Sequence, residues 1–185
     1  MLYIYYWIVF ILFFVALFLI YKGIVIIIQI FKWYGVPNVT SNQDILEALK
    51  KEIILDKDSV FIDLWAGNGT IVSTVQETFP EARCIGIEFA PMAFTLAKRR
   101  KDKIWWTYTL LKQDIFKTDL SEATHIYSYL MPHLMTKVWE KIKNECKPWT
   151  LFYVNAFEIN NVKAIKEVEV ERKGKFLKKM RVYEV

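Results

Sequence analysis

The stretch VFIDLWAGNGTIV, residues 60–72, decides the fold. Val60 to Leu64 is a short apolar run broken only by Asp63, the composition of a strand buried on both faces. Gly67 and Gly69 end the run, and TIVSTVQETF (70–79) then places apolar residues at helical spacing. A buried strand, a glycine turn and a helix are the opening of a parallel α/β unit. In such sheets ligands bind beyond the carboxyl ends of the strands, where the strand order reverses. Glycines at that turn let the backbone come close to a ligand.

The unit recurs along the chain. RCIGIEF (83–89) is the next strand, followed by a helix over APMAFTLAKRRKDK (90–103). WWTYTLLKQDIF (105–116) contains a third strand and THIYSYL (124–130) a fourth. PHLMTKVWEKIKNEC (132–146) begins with Pro at a favoured first helical position, and WTLFYVNAF (149–157) is a fifth strand. The end differs: AIKEVEVERKGKFLKKMRVYEV (164–185) alternates about Lys173–Gly174, the mark of an antiparallel hairpin. The expected fold is α/β, with parallel strands wound on both faces by helices and closed by a C-terminal antiparallel hairpin.

Upstream, QDILEALKKEI (43–53) reads as a helix with Ser41 as its N-cap and Asp44 in its first turn. GVPNVTSNQD (35–44) is a linker rich in Gly, Pro and small polar residues. Before it, Leu2 to Tyr21 contains no charge, and twenty helical residues span about 30 Å, the thickness of a bilayer's hydrocarbon core. Tyr3, Tyr5, Tyr6 and Trp7 suit one interface; Tyr21, Lys22, Trp33 and Tyr34 suit the other. A signal peptide wants a basic start, a shorter apolar core and small residues at the cut, none of which is found. Residues 1–34 are therefore expected to be a single-pass transmembrane anchor, and 35–185 the functional domain. Lys22 and Lys32 follow the span and no basic residue precedes it, so the domain is expected to face the cytoplasm, or the matrix in a mitochondrion. IVIIIQIF (24–31) is too short for a second span and is read as extending the helix or lying at the interface.

Of the 25 basic residues two, Lys22 and Lys32, belong to the anchor's flank, which leaves 23 against 20 acidic ones. So even a balance does not mark a nucleic-acid binder. Basic clusters at 97–103 and 171–181 read as solvated helix end and hairpin, or as a face resting on anionic lipid. Cys84 and Cys146 are isolated, and with two His they form neither a metal cluster nor a disulfide framework. No metal is expected, and nucleic acid is not an expected partner.

The turn at 63–69 is neither a P-loop, for want of the Lys-Ser/Thr pair, nor the dinucleotide pattern G-x-G-x-x-G. Asp63 places a negative charge before it, unsuited to pyrophosphate and suited to a cationic ligand. Glu88 ends the second strand, where a carboxylate can take both hydroxyls of a ribose. Asp114, after the third strand, can accept a hydrogen bond from an adenine amino group, with Phe89 or Ile115 against the ring.

At these residues the chain resembles the class I S-adenosylmethionine-dependent methyltransferases. Their first motif, D-x-G-x-G-x-G, reads here Asp63-Leu64-Trp65-Ala66-Gly67-Asn68-Gly69. Trp65 stands where the first glycine is usual; some RNA and DNA methyltransferases have Phe there. The resemblance runs from about Val36 to the C-terminus. It implies a Rossmann-like sheet, S-adenosyl-L-methionine as cofactor, and a seat built from Asp63, Trp65, Ala66, Gly67, Asn68 and Gly69. By the same resemblance Glu88 is the ribose acid and Asp114 the adenine-side acid, with Phe89 and Ile115 beside them.

VPNVTSNQDIL (36–46) is similar to the Val-Pro-x-Val-Pro-type segment of the membrane-anchored family that methylates lysine in the ATP synthase c-subunit or the adenine nucleotide translocase. That likeness adds Thr40 to the cofactor residues. It implies transfer to a lysine side chain of an integral membrane protein, by a monomer held at the lipid bilayer. The Asn/Asp-Pro-Pro-Tyr/Phe motif of base and glutamine methyltransferases is absent; SYLMP (128–132) occupies its place. Lysine must lose a proton before it attacks, and its reference pKa is about 10.4, so the site must desolvate it. Tyr127, Tyr129 and Asn155, near the ends of the fourth and fifth strands, are candidates to shape the target channel, with Tyr129 and Asn155 as the catalytic pair. A membrane-tethered RNA or small-molecule methyltransferase and an inactive cofactor-binding scaffold remain the alternatives.

Overall fold

The computed structural model describes residues 2–34, 43–104, 107–170 and 178–185. The chain divides into two compact units, Met1–Pro37 and Asn38–Val185. The first holds one helix, α1 (Leu2–Tyr34), 33 residues long. It runs unbroken through 24–31, so the second apolar run continues the helix. Within it Tyr6–Val25 is long and apolar enough to cross a membrane, and none of that window is buried. Trp7, Phe10 and Phe14 form an aromatic ladder, with centroids 5.8 and 4.6 Å apart.

The second unit runs α2 (Gln43–Glu52), β1 (Val60–Asp63), α3 (Thr70–Thr78), β2 (Arg83–Ile87), α4 (Pro91–Ile104), β3 (Thr109–Leu111), a 3-10 turn (Ile115–Lys117), β4 (His125–Ser128), α5 (Pro132–Glu145), β5 (Leu151–Asn155), β6 (Lys166–Val170) and β7 (Lys178–Glu184). The seven strands lie in the order β3-β2-β1-β4-β5-β7-β6. β1 to β5 are mutually parallel, while β7 runs antiparallel to both β5 and β6. The expected hairpin thus closes the sheet, with its second strand inside and its first at the edge. Its tip, Lys173–Gly174, lies outside the described residues, as does Ser41.

Strand alternation sorts the core into two layers. Ile62, Leu64, Ile85, Ile87, Ile126, Phe152 and Val154 meet Val138, Trp139 and Ile142 of α5. Phe61, Cys84, Tyr127, Tyr153 and Val182 meet Ile45 and Leu49 of α2 and Ile71, Val72 and Val75 of α3. The apolar spacing of four in α2 and α3 is what turns one face of each helix to the sheet. Cys84 and Cys146 are buried free thiols, pushed up by burial to about 12 and about 11, and so inert as nucleophiles at neutral pH.

The chain leaves β1 for β2 and β3 on one side, then returns to β4 and β5 on the other. The order therefore reverses between β1 and β4, and the crevice opens beyond their carboxyl ends. Register places Gly86, Asp63, Tyr127 and Tyr153 in one row across β2, β1, β4 and β5.

Gly86 is what lets the turn after β1 lie down on the sheet. A Cβ there would meet Ala66 Cβ at 3.0 Å and Val72 Cγ1 at 3.1 Å, contacts tight enough that these neighbours must give way by a few tenths of an ångström. Gly86→Ala is therefore expected to destabilise the domain by about 1–3 kcal/mol, and Gly86→Val by more. Thermal denaturation of both variants checks this; an unchanged midpoint in Gly86→Val would contradict the packing described.

Candidate functional site

β1 delivers Asp63 to its carboxyl end, and the next six residues fold back over β2. Leu64 N donates to Tyr127 O at 3.0 Å and Ala66 N to Ile87 O at 2.9 Å, which fixes the turn between β4 and β2. Gly67 (φ 56°) and Gly69 (φ 78°) take the left-handed conformation that reverses the chain into α3. Gly69 has a second constraint, since a Cβ would sit 3.2 Å from the Tyr108 hydroxyl and 3.3 Å from Ala97 Cβ. Asn68 Oδ1 accepts from Thr70 N and Thr70 Oγ1, and Arg100 Nε donates to Asn68 O at 3.1 Å.

Glu88 lies one residue beyond β2 and is 1% exposed. Its Oε2 accepts from Gly67 N at 2.8 Å and its Oε1 from Ala90 N at 2.7 Å, so the carboxylate ties the glycine turn to the start of α4. Each oxygen keeps a further lone pair for a ligand hydroxyl. Burial pushes its pKa up, and the amide bonds it accepts oppose that. Asp63 is also 1% exposed; Oδ1 accepts weakly from Trp65 N at 3.4 Å, and Oδ2 has no partner among the described residues. Burial, with the Glu88 charge as a smaller cause, pushes Asp63 up to about 7.

The structure brings Asp63, Ala66, Gly67, Asn68, Gly69 and Glu88 together around one turn. Trp65 is partly buried and packs against the core on the α5 side of the sheet. Phe89, 40% exposed, follows Glu88 on the rim. Asp114 caps the 3-10 turn, Oδ1 accepting from Phe116 N at 2.9 Å, and Ile115 is buried in the α5-side core. Of the two side chains considered for an adenine ring, Phe89 is therefore the accessible one. Thr40 lies outside the described residues. Tyr129 packs on the α2/α3-side core and stacks with Phe157, while Asn155 is buried at the end of β5. His125 starts β4 and stacks on Tyr153, away from the carboxyl edge; His133 is exposed on α5.

Sequence reasoning missed Gly86 and Ser128. A glycine inside a strand signals a close backbone approach, so Gly86 could have been found. Ser128 ends β4 fully buried, its Oγ without a partner among the described residues, and only three-dimensional placement reveals it.

S-adenosylmethionine fits what is there. A buried carboxylate oxygen with no donor among the described residues, Asp63 Oδ2, suits an amino-acid ammonium, and Glu88 has acceptor capacity for ribose hydroxyls. Two carboxyl groups so deeply buried, with no cationic side chain paired to them among the described residues, are groups that a cationic ligand would stabilise.

Residues 63–166 match the family model described as "ANTKMT methyltransferase domain". A protein-lysine N-methyltransferase of Saccharolobus islandicus (strain REY15A) is 25% identical over 138 residues, covering 74% of this chain and 86% of that protein. An RNA methyltransferase from Salinibacter ruber, in complex with S-adenosyl-L-homocysteine, superposes with a TM-score of 0.71 at 22% identity, over 79% of this chain and 93% of that one. A SAM-dependent methyltransferase from Aquifex aeolicus does so with a TM-score of 0.60 at 15% identity, over 75% and 88%. At such identities the superpositions speak for the fold.

The raised Asp63 pKa is expected to make ligand binding pH-dependent. Between its ordinary value near 3.8 and about 7 the folded protein holds a proton that the unfolded chain has lost. The carboxyl's contribution to stability is thus full below about pH 4 and lost as pH rises through about 7. An ammonium paired with the ionised form should expel that proton. Titrating S-adenosylhomocysteine at pH 6 in buffers of different ionisation enthalpy is expected to show release of about one proton, falling towards zero at pH 8. Asp63→Asn should abolish the release and weaken binding. Binding with no proton release at pH 6 would contradict the pairing.

Proposed function

The chain belongs to the ANTKMT methyltransferase domain family, and from that premise we propose that it methylates a lysine side chain of an integral membrane protein near the bilayer surface. It is an S-adenosylmethionine-dependent methyltransferase. When bound, S-adenosylmethionine supplies a methyl group on cationic sulfur: the amine lone pair forms the C–N bond, the C–S pair stays with sulfur, and a proton leaves nitrogen for solvent. In this reading Asp63 holds the cofactor's ammonium, Glu88 its ribose, Gly67 to Gly69 the close backbone approach, and Phe89 the ring. Ala66, Asn68 and Asp114 complete the seat, with Thr40 from outside the described residues, while Trp65 and Ile115 pack behind it in the α5-side core.

Tyr129 and Asn155, beyond β4 and β5, are assigned to the acceptor. Their half-buried and buried positions remove water from an incoming amine, which lowers its pKa and favours the neutral, attacking form. Aromatic walls tolerate the cationic product. The lysine assignment draws on the relative that carries protein-lysine N-methyltransferase as its name.

The observation that carries the membrane part of the proposal is α1. Its apolar, uncovered Tyr6–Val25 window is taken as the span, residues 1–34 as the anchor and 35–185 as the methyltransferase domain. The domain is placed on the side of Lys22 and Lys32, the cytoplasm or its topological equivalent. A tether raises the local concentration of membrane-borne acceptors over free ones. The near balance of charge in the domain favours a protein over a nucleic-acid acceptor, and a monomer suffices for the site.

Radiolabelled methyl transfer into membranes from cells lacking the protein tests this. The label is expected in a membrane-protein band and, by mass spectrometry, on lysine. Tyr129→Ala and Asn155→Ala should lower turnover ten- to a hundredfold, on the order expected when positioning is lost, with much smaller changes in cofactor affinity. Removing residues 1–34 should slow transfer to acceptors in intact membranes more than to the same acceptors in detergent. Label in RNA, lipid or a small metabolite would contradict the acceptor, and cofactor binding without any transfer would favour a scaffold.

A further inference from the structure

Just after β5 the backbone takes an unfavourable course. Ala156 has φ +70°, a conformation in which its Cβ crowds the backbone. Across it Phe157 N donates to Asn155 O at 2.9 Å. A bond from residue i+2 back to i over a positive-φ residue is the rare, strained form of γ-turn. Neighbours hold it in place: Ala156 N donates to Lys179 O of β7 at 2.9 Å, and Ile159 N to the Tyr183 hydroxyl at 3.0 Å. Strain that the surroundings maintain at the rim of a site points to a use for it.

The turn sets two side chains. Asn155 is 1% exposed, and neither its amide nitrogen nor its oxygen has a partner among the described residues. Leaving both atoms of a buried amide unsatisfied destabilises the fold, so an apolar residue there would be more stable. Phe157 stacks on Tyr129 with centroids 6.2 Å apart and planes 25° from parallel. Alternation from Tyr127 and Tyr153 puts Tyr129 and Asn155 on the same sheet face as Asp63. β4 lies between β1 and β5, so the amide stands two strand spacings, about 10 Å, from the carboxylate strand. Asn155 is thus on the same face as the cofactor seat but beside it.

We infer that the Asn155–Ala156–Phe157 turn is the acceptor-binding element, with Ala156 as its positioning residue and Phe157 as a wall. The buried amide forms the polar end, its oxygen accepting an N–H of the incoming amine. The stacked Tyr129 and Phe157 rings line the approach, where they fit an unbranched aliphatic stem and then a methylammonium head. The identity of the acceptor as lysine rests on the function proposed above; the assignment of the turn to acceptor binding does not.

Full-length variants test it, with the acceptor that the wild-type protein labels. Asn155→Leu should keep or raise the thermal midpoint, keep S-adenosylhomocysteine affinity, and lose turnover on the order of a hundredfold. Ala156→Gly relieves the strain, so the midpoint should hold while kcat/KM for the acceptor falls about tenfold. Phe157→Leu should raise the acceptor KM, and Phe157→Tyr should restore it. A merely structural turn would give the reverse: a lower midpoint in Asn155→Leu and unchanged turnover in Ala156→Gly. Loss of S-adenosylhomocysteine affinity in step with turnover would place the turn in the cofactor seat and overturn the inference. Label on something other than lysine would defeat the proposed function, while these same ratios would still decide the turn.

Discussion

The carboxylate of Glu88 holds the site together. It takes the Gly67 amide on one oxygen and the Ala90 amide on the other, and so ties the turn after β1 to the segment that opens α4. Both amides belong to backbone with no regular ladder to satisfy them, and an unmet buried donor costs about 1–3 kcal/mol. Charge-assisted bonds to an ionised acceptor are the stronger kind, so the pair of contacts favours the ionised form of Glu88 against its burial. Asp63 lacks that support. It receives one long bond and, among the described residues, keeps an oxygen unpartnered, so burial moves it to about 7. The two acids are placed differently: Glu88 is already engaged by two backbone amides, while Asp63 is, in the function proposed, the one left for a ligand.

The sheet makes this arrangement possible by being covered on both faces. With α5 on one side and α2 and α3 on the other, Phe61 and Ile62 are buried in opposite directions, and the strand ends on a buried Asp63. A carboxylate in such a place attracts a cation more strongly than it would in water. In the function proposed, the burial of Asn155 at the end of β5 favours the neutral form of an incoming amine. In that reading one packing decision serves donor and acceptor in different ways. The row Gly86–Asp63–Tyr127–Tyr153 shows how it is achieved, with a missing side chain on β2 making room for the turn that carries the acid's neighbours.

Much of this was legible in the residues. The apolar run ending in Asp63, the two glycines and the recurring strand–helix alternation led to the sheet, and the terminal alternation led to the hairpin. The placing of Trp65 and Ile115 was not legible, because one takes a glycine's place in the motif, the other follows Asp114, and only packing decides that they turn into the α5-side core. The backbone bonds of Glu88 were also hidden, since a carboxylate at a strand end reads the same whether it faces solvent or amides. Ala156 was hidden more deeply. Nothing in VNAF marks a positive φ at alanine; β7 and the Tyr183 hydroxyl, far along the chain, impose it.

The central claim is that the crevice between β1 and β4 seats the methyl donor between an ionised Asp63 and Glu88. A crystal structure of the full chain with S-adenosylhomocysteine tests it most directly. The account predicts the amino-acid end against Asp63 Oδ2, the ribose against Glu88 and the backbone of Gly67 to Gly69 in contact with the ligand. Density for the ligand elsewhere, or within the crevice with Asp63 Oδ2 still unpartnered, would contradict it.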